Sequence, residues 1–136
     1  MNLISCVDDG MGLRFNHRRQ SRDKMLAQHI LRRTGGEIWL HPDSAKLFAD
    51  WPDAVLHVIS DPEEVPEGAW CFWESPVSPA LRPEKILLYH WNRVYPADEL
   101  FVYPGGQDQW ECLENTDFSG FSHPKITEEV LIPKEV

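Results

Sequence analysis

The last third of the chain constrains the fold most. From Lys85 to Pro133 it reads KILLYHWNRVYPADELFVYP, then QDQWECLE, then FSHPKITEEVLIP. Apolar runs of strand length alternate with acidic or proline-bearing links. The pattern predicts strands at Lys85–Arg93, Glu99–Tyr103, Trp110–Leu113 and Thr127–Ile132. Because the links are short, these strands are expected to pair antiparallel at one edge of a sheet.

The first half has a different rhythm. Met1–Val7 is apolar and bounded by DDGMG, as a buried first strand would be. Leu13–Asn16 reads as a brief extended piece. A helix follows, with Ser21 as its expected N-cap and Asp23 in its first turn, where a negative charge suits the helix dipole. It runs to about Arg33 and is ended by Gly35–Gly36. Glu37–Leu40 is a strand, His41–Trp51 a short helix, Ala54–Ile59 a β-branched strand and Trp70–Trp73 a fourth. The three prolines of SPVSPALRP exclude a normal helix there. Strands alternating with helices argue for parallel pairing. The expectation is a single α/β domain over residues 1–136, with a mixed, mostly parallel central sheet and an antiparallel C-terminal edge.

Composition narrows the function. A chain of 136 residues with 42% apolar content, six Trp and six Phe is globular and of one-domain size. No stretch approaches the roughly eighteen apolar residues of a membrane helix, and MNLISCVDDG does not read as a leader, so a cytoplasmic protein without a membrane partner is expected. Cys6, Cys71 and Cys112 are odd in number and widely spaced, which fits reduced thiols. The histidines and cysteines form no zinc spacing, and neither a G-x-S-x-G nor a P-loop is present. Net charge is −9, but residues 1–33 carry seven basic against three acidic side chains. An acidic protein disfavours nucleic acid as a partner. An anionic small molecule would meet it near the amino-terminal segment, unless that segment packs against the acidic remainder of the chain.

Taken in order, these segments resemble dihydrofolate reductases. ISCVDDGMG resembles the family's first strand and glycine-containing loop, and RDKMLAQHIL its first helix. EIWLHPDSAKLF resembles the second strand and helix, AVLHVIS and AWCFWE the next two strands, and ILLYHWNRVYPADELF the strand and acidic turn that close the substrate pocket. The resemblance implies a dihydrofolate reductase-like fold. It assigns Asp23 to the carboxylate that contacts the pterin ring, and Tyr89 to the threonine paired with that carboxylate through water. It also implies NADPH as a cofactor, but the family's phosphate-binding motifs are absent. His41-Pro42-Asp43 stands in place of the Gly-Arg pair after the second strand, and Glu74-Ser75-Pro76 in place of the double-glycine turn.

The residues themselves suggest two centres. Asp23 shares a helical face with Leu26, Ala27 and Ile30. Partial desolvation there is expected to raise its pKa and fit it for proton transfer or for a bidentate hydrogen bond to a ring; otherwise it completes the helix cap. Asn16, His17, Arg18, Arg19, Gln20 and Arg22 form a cationic loop before a helix N-terminus, an arrangement suited to phosphate or carboxylate. The competing reading is a solvated loop or one paired to Asp8 and Asp9. Tyr89 and His90 must face opposite sides of the sheet. Trp91, with Trp70 and Trp73, either stacks on a heterocycle or fills the core. Three functions follow: binding of a small heterocyclic or nucleotide-like ligand without assured catalysis, which the residues favour; an NADPH-dependent reductase with an unusual cofactor mode, using Asp23 and Tyr89; or a ribonuclease-like RNA- or phosphate-processing protein using Asn16–Arg22.

Overall fold

A computed structural model describes residues 1–134. In chain order the elements are β1 (Asn2–Val7), β2 (Gly12–Phe15), β3 (Arg18–Arg19), α1 (Lys24–Arg33), β4 (Glu37–Leu40), β5 (Val55–Val58), β6 (Trp70–Phe72), β7 (Lys85–His90), β8 (Glu99–Leu100), β9 (Trp110–Phe118) and β10 (Ile126–Pro133). Seven strands form one sheet in the order β5-β4-β6-β1-β7-β10-β9. The pairs from β5 through β7 are parallel, and β10 joins β7 and β9 antiparallel. This is the mixed sheet with an antiparallel C-terminal edge that the sequence predicts.

Both faces of the sheet are covered, so its central strands are apolar without alternation. In β7, Ile86, Leu87, Leu88 and Tyr89 are all fully buried. Leu87 and Tyr89 face Leu26, Ala27, Ile30 and Leu31 of α1, whereas Ile86 and Leu88 face the proline-rich 74–84 segment, through Val77 and Leu81. The second face also holds Phe101 and Trp110.

Two local expectations are corrected. Ser21 does not cap α1. Asp23 does, with extended backbone (φ −156°, ψ 128°) and a carboxylate accepting from the Met25 and Leu26 N–H groups. Glu99–Tyr103 does not complete the central sheet either. Only Glu99–Leu100 is paired, with β2, in a separate three-stranded sheet β3-β2-β8. The Phe101 N–H then reaches the Met11 carbonyl at 2.8 Å, and Phe101 is buried over the sheet face. The segment crosses above the core, where Phe101 is buried, and the side of β7 it could have joined is occupied by β10.

The polar loop expected at 16–22 is partly a hairpin. Arg14 pairs with Arg19 and Phe15 with Arg18, leaving Asn16 and His17 as a two-residue turn with φ of 51° and 62°. Positive φ at both central residues marks the turn that follows the natural twist of paired strands. Among the described residues no helix is long and apolar enough to cross a membrane, and no cluster of side chains is arranged to hold a metal ion.

Candidate ligand-binding site

The connection after β1 leads through α1 to β4 on one side of β1. The connection after β6 leads to β7 on the other side. Between the carboxyl ends of β1 and β6 the chain therefore diverges, which is where open α/β sheets form a crevice. A cleft opens there. Its walls are Leu26, Ala27 and Ile30 of α1, Phe48, Phe72 and Trp91, and its mouth is formed by Arg19, Ser21, Arg22 and Glu74. The cleft is a narrow slot, with about 30 Å³ free for the centre of a water molecule.

Glu74 follows β6 and is gripped at the mouth. Arg19 donates to it twice, Nε to Oε2 at 2.9 Å and Nη2 to Oε1 at 3.0 Å, and the Ser44 hydroxyl donates to Oε1 at 2.6 Å. Arg19 also holds the Asp43 carbonyl at 2.8 Å. Of the candidate cations Arg19 is thus engaged within the chain, and the neighbouring Arg14 lies 3.8 Å from Glu99. Arg18 and Arg22 are exposed and make no ion pair among the described residues. With Lys46 they line a shallow cationic groove that continues from the cleft mouth past Ser21. His17 lines this groove, and Asn16 is tied by its N–H to Asp98 at 3.0 Å.

Asp23 is not exposed to the cleft as a free acid. Its side chain is fully buried and accepts from six groups. The Met25, Leu26 and Phe121 N–H groups meet Oδ1; the Ser122 N–H and hydroxyl and His123 Nδ1 meet Oδ2. Burial pushes the carboxyl up, but the bonds from Phe121, His123, Ser122 and Leu26 more than offset it, and its pKa lies well below the usual carboxylate range. The rise expected from desolvation alone is reversed, because oriented donors stabilise the charged form more than burial penalises it. The approach is close: a Cβ on Gly120 would lie 2.7 Å from Asp23 Oδ2 and 2.8 Å from the His123 carbonyl.

Tyr89 faces the α1 side but turns away from Asp23. Its hydroxyl donates to Glu128 at 2.7 Å, and burial, with the Glu128 charge, drives its pKa far up. Trp91 lines the cleft and packs against the His123 ring, centroids 4.6 Å apart. His123 is the residue that sequence reasoning missed. It lies 100 positions from Asp23 in an irregular segment, and nothing local distinguishes it. Only the return of the 118–123 loop to the start of α1 brings the two together.

The architecture defines a dihydrofolate reductase-like fold. Among solved structures it is similar to dihydrofolate reductase from Enterococcus faecalis complexed with NADP(H) and RAB-propyl, at a TM-score of 0.64 over 98% of this chain and 96% of that one, with 9% sequence identity. No protein-family model matches the chain, and no curated protein matches it in sequence.

Proposed function

We propose that this protein binds a small heterocyclic or nucleotide-like ligand in the cleft between α1 and the carboxyl ends of β1 and β6, and that it does so as a binding protein and not as a reductase. The observation that carries this reading is the cleft itself: an apolar slot at the divergence of the chain, opening onto a groove with uncommitted cations. Apolar walls with a few placed polar groups are the usual composition of small-molecule sites. Leu26, Ala27, Ile30, Phe72 and Trp91 suit a flat ring, and Arg18 and Arg22 suit an attached anion.

The residues present do not fit a nicotinamide dinucleotide held by its phosphates. The segment after β6 forms no helix, so no helix N-terminus is offered to a pyrophosphate. The side chain at that point is the Glu74 carboxylate, already paired with Arg19. After β4 come His41 and Pro42, and the His41 ring accepts from the Asp43 N–H at 3.2 Å in capping its own short helix. Asp23 keeps its charge and its six donors, which opposes a role as proton donor to a bound ring.

A thermal-shift series with folates, nicotinamide cofactors and nucleotides tests the reading. A ligand at a hundredfold its Kd adds about 2.7 kcal/mol of stability. We expect such a shift with a ring-bearing anion, lost in Ala27→Trp, which fills the cleft. Stabilisation that survives Ala27→Trp, or none by any of these compounds at millimolar concentration, would remove the cleft as the site.

A further inference from the structure

Ser21, His123 and Asp23 form a connected line. His123 Nδ1 lies 2.9 Å from Asp23 Oδ2, and His123 Nε2 lies 3.0 Å from Ser21 Oγ. The ionised Asp23 carboxylate can only accept, so Nδ1 carries the ring proton and Nε2 presents its lone pair to the serine. Ser122 Oγ also lies 3.2 Å from Nδ1, and the Tyr95 hydroxyl shares Nε2 at 3.0 Å. His123 is 4% exposed and packs on Trp91, so the ring's plane and tautomer are fixed from two sides. Ser21, by contrast, lines both the apolar cleft and the cationic groove. A hydroxyl bonded to an imidazole that is itself oriented by a buried carboxylate is the arrangement of an activated nucleophile, recognised by geometry and not by sequence order.

We propose that Ser21 is the nucleophile of an ester-hydrolysing site, with His123 as general base and Asp23 as the residue that positions it. The substrate class is a carboxylic ester with an apolar end for the cleft and an anionic end for Arg18, Arg22 and Lys46. Ser21 Oγ adds to the ester carbonyl while its proton passes to His123 Nε2. The tetrahedral adduct collapses by breaking the bond to the alcohol oxygen, which takes the proton from His123. Water then adds to the acyl-serine carbonyl and gives a proton to His123 Nε2; the bond from the acyl carbon to Ser21 Oγ breaks, and Oγ takes that proton back, releasing the acid. One ester and one water give one acid and one alcohol, with no other reactant. The substrate class rests on the ligand assignment above, since it uses the same cleft and cations, whereas labelling of Ser21 tests the nucleophile separately.

The test uses diisopropyl fluorophosphate on the full chain, followed by intact mass and peptide mapping. Attack by Ser21 on phosphorus expels fluoride and leaves one phosphoryl adduct. We expect that adduct on Ser21, none in Ser21→Ala, and a labelling rate at least tenfold slower in His123→Gln. Asp23→Asn, which keeps a capping side chain, should slow labelling while the circular dichroism spectrum stays unchanged. Hydrolysis of 4-nitrophenyl acetate should vanish in Ser21→Ala, and the anionic 4-nitrophenyl hemisuccinate should react about tenfold faster at low salt. Absence of an adduct on Ser21, or an unchanged labelling rate in His123→Gln, overturns the nucleophile and its base. Equal rates for the two esters overturn the substrate class.

Discussion

Asp23 and Glu128 are buried carboxylates that stay charged because each is met by oriented donors. Glu128 accepts from Tyr89 at 2.7 Å, from His29 at 2.8 Å and from Arg33 at 2.8 and 3.1 Å, and its side chain is 3% exposed. Burial raises its pKa, but the bonds from His29, Arg33 and Tyr89 prevail and bring it down to about 2. A folded pKa below the unfolded one stabilises the fold above the unfolded value and loses that contribution as pH falls through the folded value. For Glu128 the window runs from about 4.5 down to about 2, and the contribution is about 3 kcal/mol. Glu128→Gln should therefore lower the melting temperature at pH 7, with the gap to the unmutated protein closing as pH is taken from 5 to 2. A gap that stays constant over that range would mean that packing, and not charge, is what the substitution removes. The same sign holds for Asp23, whose carboxylate ties the start of α1 to the 118–123 loop.

At the scale of elements, the hairpin β2–β3 shows how local rules and position divide the work. Asn16 and His17 are both residue types that tolerate positive φ better than most, but at 62° His17 still carries the Cβ that glycine lacks. His17→Gly should raise stability by up to about 1 kcal/mol, read from denaturant midpoints at constant slope. A fall in stability would mean that the imidazole makes contacts that outweigh the backbone strain. Most elements were legible from their own residues: β1, β4, β6 and β7 as short apolar runs, and α1 from the spacing of Leu26, Ala27 and Ile30 with Gly35–Gly36 behind it. The cap was misplaced by two residues because Ser21 and Asp23 are both good caps. The choice fell to Asp23 when Phe121, Ser122 and His123 supplied donors to it from the far end of the chain. Glu99–Tyr103 has strand composition throughout, but composition cannot tell a strand that extends a sheet from one that crosses over its face.

For the whole molecule, charge is unevenly placed and partly cancelled. Among the basic residues of the first 33, Arg19 pairs with Glu74, Arg33 with Glu128 and Arg14 approaches Glu99, so these pack against the acidic remainder. Arg18 and Arg22 are left facing the groove. A protein of net charge −9 thus offers an anion few points of entry, and association there is steered by a local field. Binding of an anionic ligand should weaken as salt rises from 0.05 to 0.5 M, and Arg18→Glu with Arg22→Glu should slow association about tenfold at low salt without changing the melting temperature by more than about 2 °C. Association that ignores both changes would place the anion elsewhere. The sequence by itself determined most of the strands, the helix, the mixed sheet and the cationic segment, because periodicity and composition act over a few residues. Which cations stay free, the charge state of Asp23, and the meeting of Ser21 with His123 were decided only by the tertiary structure. Each depends on groups that lie many positions apart, and no local pattern encodes a distance that chain return alone sets.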